Sequence, residues 1–256
     1  MIRARKFSLV LLAGIAFAPL MPQQANAQRG PQGVERALFD AANHDREARG
    51  LRPLRWDDAL ARAAQQHALR MAQMHAISHQ FPGEPELAAR ASAAHARFSR
   101  VSENVAEGPV AAEFHAQWMN SPPHRENLLN PELDSVGIAV AEGVGQYYGV
   151  EDFSHAIPNL TLAEQEKQVG ALLIAEGLHP RREHDDARTA CATDRVPGQV
   201  ASSFSFFRYE TADLSKLPDS MLKQVRSARF TSASVGACAF HSDSGFTLYR
   251  IGVILF

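Results

Sequence analysis

The sequence predicts an α+β protein with two folded units behind an N-terminal export signal. Apolar residues recur at helical spacing in several segments before residue 120, and two β-rich runs follow them. A second series begins at Thr161, where a helix start is followed by aromatic and β-branched runs that continue to Phe256. Both halves therefore contain helices and strands, which places the chain in the α+β class.

The N-terminus has the composition of a secretory signal peptide. Three cations precede the apolar run of residues 7–20, and the small-residue site Ala25-Asn26-Ala27 follows it. At 14 residues, the run is shorter than the ~20 residues that a helix needs to span a bilayer. Ile15 stands where a lipoprotein would need a cysteine. We therefore expect removal of residues 1–27, no membrane or lipid anchor, and a secreted or periplasmic protein.

The net charge and the two cysteines argue against a nucleic-acid-binding protein and against a cysteine metal site. The formal net charge is −2 at pH 7, and loss of residues 1–27 removes three cations and no acid. An acidic surface argues against nucleic acid as a partner. Cys191 and Cys238 lie 47 positions apart, which is not a metal-ligand spacing. In an exported chain this predicts a disulfide, which would contribute about 3 to 4 kcal/mol in the chain-entropy model. Two buried thiols are the alternative.

The first unit follows a linker at residues 28–33. A helix is predicted from Val34 to the stop at Gly50, and a second from Asp57 to about Ser78. Residues 81–85 break the chain, and residues 86–98 return to helix or loop. A further helix is centred on residues 113–119 and ends at Ser121-Pro122-Pro123. The β-rich runs 136–140 and 146–153 flank Glu142-Gly143-Val144-Gly145, which predicts a hairpin.

The second unit is predicted for residues 158–256. Thr161 and Glu164 form a capping box that begins a helix, and Gly177 ends it. Residues 179–187 are charged, which predicts an exposed stretch. Strands are predicted at residues 202–209, 233–240 and 246–256, around a helix at residues 219–228. We expect a small α+β domain with one disulfide, and the sequence shows no internal repeat.

An ordered series of motifs in the first half resembles a known family. The series comprises Asn43, Arg46, Trp56-Asp57, Ser78-His79, Glu103-Asn104-Val105-Ala106, Trp118, and Ser121-Pro122-Pro123-His124-Arg125-Glu126-Asn127. Together with the two β-rich runs, it resembles the CAP superfamily (cysteine-rich secretory proteins, antigen 5 and pathogenesis-related 1; SCP-like domain) in its bacterial form. The resemblance implies an α/β/α sandwich over residues 34–157. Ser102 and Pro123 depart from the family pattern, and the C-terminal unit resembles nothing that we recognise.

The resemblance also implies a central cleft. Members that bind a divalent metal use two histidines and two acids, a set that suits zinc. His79 and Glu103 match two of these positions, whereas Asn120-Ser121 and residues 146–148 do not match the others. We hypothesise that His124 completes a site for Zn²⁺ or another divalent cation. The alternative is that Glu103, Asn104, His124 and Arg125 bind the backbone of long loops.

Other polar and aromatic residues of the motifs are interpreted as structural. We expect His67 to be a hydrogen-bonded core histidine and His75 to be a surface residue. The remaining motif residues that we interpret in this way are Asn43, Arg46, Trp56, Asn104, Trp118, Arg125 and Asn127. No G-x-S-x-G, P-loop or dinucleotide-binding motif is present, so no catalytic residue is assigned.

Three functions remain open from the sequence. The first is binding of a small apolar ligand, a lipid or a cell-envelope component in the cleft, without established catalysis. The second is a zinc-dependent hydrolase of peptide or cell-wall substrates, with metal held by His79, Glu103 and His124. The third is a structural or interaction module. Metal content and co-purifying lipid would separate the three.

Overall fold

A computed structural model describes residues 33–181, 185–197, 204–227 and 229–256. The predicted signal peptide and all but the last residue of the predicted linker lie outside this part of the chain. Within the described ranges, no helix is both long and apolar enough to cross a membrane.

The first unit contains five α-helices, one 3₁₀ turn and four strands in the described ranges. In chain order they are α1 (Gly33–Glu47), β1 (Arg55–Trp56), α2 (Asp58–Met74), α3 (Leu87–Ala93), β2 (Phe98–Gly108), the 3₁₀ turn (Ala111–Glu113), α4 (Phe114–Asn120), α5 (Pro122–Leu128), β3 (Ser135–Glu142) and β4 (Tyr147–Ala156). The strand order is β1-β3-β4-β2, with β1 parallel to β3 and all other neighbours antiparallel.

Helices cover both faces of this sheet. Helices α1, α4 and α5 pack on one face, where Leu38, Trp118 and Phe153 belong to one apolar cluster. Helix α2 packs on the other face, where Met71 and Val150 belong to a second cluster. The arrangement confirms the α/β/α sandwich, and alternate residues of each strand face opposite helical layers.

Several elements differ from the prediction in extent. Helix α2 ends at Met74, four residues before Ser78, because His75 adopts the left-handed conformation (φ 49°). Pro122 and Pro123 do not only end α4: they also occupy the first turn of α5, where the missing N–H costs no hydrogen bond. Strand β2, which the sequence pattern did not predict, is the edge strand that carries the Glu103-Asn104 motif.

The second unit contains three helices and four strands in the described ranges. They are α6 (Leu162–Ala175), β5 (His179–Pro180), α7 (Asp185–Thr193), β6 (Ser205–Thr211), α8 (Asp219–Val225), β7 (Ser232–Cys238) and β8 (Tyr249–Leu255). The capping box of Thr161 and Glu164 is present at the start of α6. Two predictions need correction or limits. The described residues 179–181, 185 and 186 are exposed as predicted, although β5 and the start of α7 lie there, whereas Ala187 is buried. The predicted strand residues 202 and 203 fall outside the described ranges.

The second sheet repeats the topology of the first. Its order is β5-β7-β8-β6, again with one parallel pair at the first strand and antiparallel pairing elsewhere. Helix α7 takes the place of α2, since a Cβ added to Gly236 would lie 2.1 Å from the Arg188 nitrogen, as one added to Gly137 would lie 2.0 Å from the Ala61 nitrogen. The two units therefore form a structural repeat that the sequence does not show.

The predicted disulfide is confirmed and lies within this repeat. Cys191 of α7 and Cys238 of β7 are bonded, with their Cα atoms 5.8 Å apart. By the glycine correspondence, Ala64 and Ala139 stand at the same places in the first unit, and both are buried. The second unit thus has a covalent bond where the first unit has two small buried side chains of one apolar cluster.

Candidate functional site

A network of three ionisable side chains lies where α2, α3 and β2 of the first unit meet. Glu103 is buried, and its Oε2 accepts a hydrogen bond from Arg90 Nη2 at 2.5 Å. The other carboxylate oxygen accepts one from His79 Nδ1 at 2.8 Å. Arg90 also donates to the backbone oxygens of His79 (3.1 Å) and Pro85 (3.2 Å). We call Arg90, His79 and Glu103 the cleft network.

Its members come from three separate elements. His79 lies in the turn after α2, Arg90 on the short helix α3, and Glu103 in the middle of β2. The turn is held by His67, whose Nδ1 lies 2.7 Å from Glu84 Oε1 and whose Nε2 lies 2.8 Å from the Ser78 oxygen. His67 is fully buried, so a core histidine positions the histidine of the cleft.

The two cleft histidines have pKa values displaced in opposite directions. The hydrogen bond to Glu103 raises the pKa of His79, against the opposing effect of partial burial. Burial, followed by the charge of His79, lowers the pKa of His124. The His79 side chain is 62 % exposed, whereas that of Glu103 is 3 % exposed. The site therefore presents a proton-rich imidazole at the surface above a buried carboxylate.

Two acids on β4 are buried on opposite faces of the sheet, and Asp152 is the one that lies on the face of Glu103. Asp152 pairs with Glu103 across the sheet and is fully buried. Burial and then the charge of Glu103 raise its pKa well above the ordinary value. Burial also raises the pKa of Glu151 to about 8, although Asn104 donates to its Oε2 at 3.2 Å. Neither acid is among the site residues predicted from the sequence, and an acidic pair within a core strand is the signal that could have identified them.

The polar residues on the opposite face of β2 bind backbone and each other. Asn104 Nδ2 donates to the His124 oxygen at 3.1 Å, and Asn127 Nδ2 donates to Asn104 Oδ1 at 2.9 Å. Arg125 donates to the Met119 oxygen at 2.8 Å, and Trp118 Nε1 donates to the Val105 oxygen at 3.0 Å. These contacts hold α4 and α5 on the sheet. Asn104 and Arg125 therefore bind the backbone of neighbouring segments, as the alternative to a metal site predicts, whereas the Glu103 carboxylate binds two side chains.

The remaining motif residues lie at the far edge of the sheet. Asn43 pairs with the backbone of Leu54, accepting from its nitrogen at 2.7 Å and donating to its oxygen at 3.1 Å. Trp56 Nε1 donates to Asp58 Oδ1 at 2.9 Å. Arg46 is buried and donates to four backbone oxygens, those of Arg52, Leu128, Asn130 and Leu133. These residues hold β1 and the loop before β3 in place.

The described residues do not fit the hypothesised zinc site. No group of three or more His, Cys, Asp or Glu side chains in that part of the chain is arranged to hold a metal ion. Both oxygens of Glu103 are engaged by Arg90 and His79, and the Nδ1 of His79 is engaged by Glu103. His79, Glu103 and His124 therefore do not form a metal site in this conformation, and zinc binding stays a prediction.

The second unit carries different residues at the corresponding places. Arg208 pairs with Gly252 across the sheet as Glu103 pairs with Asp152, so it occupies the position of Glu103. Arg188 faces Gly236 as Ala61 faces Gly137. Asp194 and His67 each lie six positions after these helix residues, so Asp194 corresponds to His67. Arg208 and Asp194 form an ion pair at 3.2 Å. The sign of the charge at the strand position is thus reversed, and the cleft network belongs to the first unit.

The fold and the cleft network define the first unit as a three-layer α/β/α domain that carries a His–Glu–Arg network beside its sheet. Residues 39–153, just under half of the chain, match the model of the cysteine-rich secretory protein family (CAP), so this segment is similar to CAP domains.

Similar proteins match this part of the chain. YkwD of Bacillus subtilis strain 168 is 27 % identical over 130 residues, which are 49 % of this chain and 51 % of that protein. The membrane protein YlbC of the same strain is 32 % identical over 123 residues, 46 % of this chain and 34 % of that protein. The chain therefore spans about half the length of the first relative and a third of the second.

Among solved structures, an extracellular SCP-domain protein of Bacillus anthracis is 28 % identical, with a TM-score of 0.44, over 54 % of this chain and 44 % of that one. An outer surface protein of Borrelia burgdorferi is 22 % identical, with a TM-score of 0.45, over 48 % of this chain and 92 % of that one.

We expect the two cleft histidines to titrate on opposite sides of pH 6.5, their ordinary pKa. A raised pKa means that the folded chain binds the His79 proton more tightly than the unfolded chain does. That stabilisation is complete below about pH 6.5 and is lost as pH rises through the folded pKa. The lowered pKa of His124 has the reverse sign, because protonation on acidification disfavours the fold. An NMR titration of the imidazole resonances measures both.

The matched variants test the cause of the shift at His79. In Glu103→Gln the acceptor loses its charge, so the pKa of His79 should fall. Glu113→Gln removes an exposed acid directly before α4 and should leave the titration of His79 unchanged. A His79 that titrates identically in Glu103→Gln and in the unaltered protein would contradict the contact as described.

Proposed function

We propose that this chain is an exported CAP-domain protein that binds an amphipathic component of the cell envelope at the mouth of the cleft and does not turn it over. The N-terminal sequence supports export, and the cleft network supports the choice of site. Catalysis is the weaker alternative because Glu103 is occupied on both oxygens and is not available as a general base.

The observation that carries the proposal is the state of His79. Its Nδ1 is engaged by Glu103, and its mainly exposed ring has a raised pKa. The outward Nε2–H of such an imidazole donates well to an anionic oxygen, because a charged donor strengthens the hydrogen bond. An acidic head group is therefore the polar part of the ligand that we propose.

Exposed apolar side chains next to His79 support the apolar part. Met74 ends α2 and is 46 % exposed, and Ile77, two residues before His79, is 43 % exposed. Burying apolar surface stabilises a complex by about 25 cal/mol per Å² removed from water, so exposed large apolar side chains favour contact with an apolar ligand. A ligand with an acidic head at His79 and an apolar chain along Ile77 and Met74 would satisfy both features.

Sedimentation with lipid vesicles tests the proposal. We expect the protein to bind vesicles of phosphatidylglycerol and phosphatidylcholine more strongly than vesicles of phosphatidylcholine alone. His79→Gln should weaken this binding about five-fold, since one cationic group near an anionic membrane surface contributes about 1 kcal/mol. Ile77→Gln should weaken it as well, by removing the apolar contact.

The control is His44→Gln, which removes an exposed histidine from α1 on the other helical layer. It should bind as the unaltered protein does. Equal binding by His79→Gln and His44→Gln would refute the proposed site. Calorimetric titration with zinc is run in parallel, and stoichiometric zinc that is lost in His79→Gln, with zinc-dependent cleavage of cell-wall peptides, would replace this proposal by the hydrolase.

A further inference from the structure

The second unit reaches the first through a long connection. In the first unit, the hairpin between β3 and β4 is closed by four residues, 143–146, whereas residues 239–248 join β7 to β8. The connection is therefore six residues longer in the second copy of the same topology. Loops that exceed the length required for closure often have a role of their own.

The end of this connection pairs with the start of β2. The Thr247 nitrogen donates to the Phe98 oxygen at 2.8 Å, and the Phe98 nitrogen donates to Thr247 Oγ1 at 3.1 Å. The rings of Phe246 and Phe98 meet edge to face with centroids 5.5 Å apart. A two-way hydrogen-bonded contact with an aromatic pair holds the connection on the first unit.

The same connection also packs on α3. A Cβ added to Gly245 would lie 2.9 Å from the Ala88 oxygen, and Gly245 has a φ of +79°, so only glycine allows this approach without strain. Phe246 packs in the apolar cluster that contains Leu60, Ala91 and Phe98, with Ala88 at its margin. Residues 245–247 thus contact both helix α3 and the first residue of strand β2. We call residues 245–247 the clamp.

Helix α3 depends on such contacts for its position. It has seven residues, and an isolated helix of that length is unstable in water. Arg90 lies on α3 between Ala88 and Ala91, and its guanidinium makes the shortest hydrogen bond of the Glu103 carboxylate. What holds α3 therefore also holds the cation of the cleft network.

We propose that the second unit positions the cleft of the first, because its clamp seats α3 so that Arg90 reaches Glu103 and the backbone of His79. The inference rests on the proposed function in assigning the cleft a binding role. It gives the second unit a task that its own cleft cannot perform, since Arg208 and Asp194 replace Glu103 and His67 there.

Four charged or titratable side chains of the described residues lie near Glu103, and a displacement of α3 would change their electrostatic balance. Arg90 comes from α3, His79 from the turn after α2, His67 from α2 with its Nε2 at 3.9 Å, and Asp152 from β4. Without Arg90, the carboxylate of Glu103 would lie beside Asp152 with less compensating positive charge. The His79 turn would also lose the hydrogen bond from Arg90 to its backbone.

The test is the exchange of the Arg90 Nε–H proton with water, followed by NMR in the full chain without lipid. This nitrogen is buried in the structure, so its proton should exchange slowly. Phe246→Ala empties the clamp and should speed the exchange at least about ten-fold through local opening of α3. Gly245→Ala should do the same by pushing the clamp away from Ala88.

The control is Phe240→Ala, which removes another partly buried ring of the same connection that stacks with Arg250 of its own unit. It should leave the Arg90 proton unchanged. Phe246→Leu keeps apolar bulk and should restore slow exchange. If Phe246→Ala does not fold, Gly245→Ala and Phe246→Leu decide the question.

Vesicle binding provides the second readout, and Phe246→Ala should weaken it about two- to thirty-fold, which corresponds to the range of roughly 0.5–2 kcal/mol for coupling through packed residues. Unchanged Arg90 exchange in Phe246→Ala and Gly245→Ala would overturn the inference, and so would equal acceleration in Phe240→Ala. Because exchange is measured without lipid, a protein that binds no vesicles can still confirm the clamp, which separates this result from failure of the proposed function.

Discussion

Arg46→Ala is expected to lower the free energy of unfolding of the first unit by about 4 kcal/mol, within the range measured when one partner of a buried charged contact is removed. The Arg46 guanidinium is buried and donates to four backbone oxygens, three of them between residues 128 and 133. Alanine removes a donor from each of these carbonyls, of which, among the described residues, only the Asn130 oxygen keeps another, from the Leu133 nitrogen at 3.3 Å. Each buried group left unsatisfied costs about 1 to 3 kcal/mol. Part of that cost is relieved when water enters the loop.

Urea unfolding followed by circular dichroism measures the loss. Arg36→Ala is the matched control, since Arg36 lies on the same helix and forms an exposed ion pair with Asp40. Its effect should stay within about 0.5 kcal/mol, as for other exposed pairs. Equal stability of Arg46→Ala and Arg36→Ala would show that the loop before β3 does not depend on this side chain.

Gly137→Val is expected to have an effect at least as large, and the first unit should not reach its native packing. A Cβ at this position would lie 2.0 Å from the Ala61 nitrogen and 2.3 Å from the Leu60 carbonyl carbon. These are backbone atoms of α2, so relief requires the whole helix to move away from β3. Overpacking in cores costs about 1 to 3 kcal/mol when side chains can yield, and more is expected where they cannot.

The repeat supplies a second measurement of the same effect. Gly236→Val should disrupt the second unit in the same way, because its Cβ would meet Arg188 and Ala187 of α7. Gly170→Ala is the control: no heavy atom lies within 4 Å of a Cβ placed there, and it should gain up to about 1 kcal/mol in helix α6. Native-like thermal unfolding of Gly137→Val would refute the close approach of α2 to β3.

Helix displacement would also reach the cleft. His67 lies on α2 and holds the turn that carries His79. Smaller substitutions at Gly137 should therefore change the His79 resonance before they unfold the domain.

Much of the fold was predictable from local signals. The Thr161–Glu164 capping box, the stop at Gly177 and the turn at residues 142–145 act through hydrogen bonds and dihedral angles within a few residues. The order of the motifs predicted the family and the α/β/α sandwich, and the disulfide was predicted from two cysteines in an exported chain.

The sequence by itself therefore determined the match to the CAP model, most of the helices, the central hairpin and the choice of His79 and Glu103 as candidate site residues. Only the tertiary structure decided what these residues do. Arg90 becomes the partner of Glu103 because α3 packs beside β2, and Asp152 becomes a buried acid because β4 pairs with β2. Strand β2 and the structural repeat were missed for the same reason. Pairing between distant segments depends on which faces pack together, and a pattern read along one chain does not contain that information.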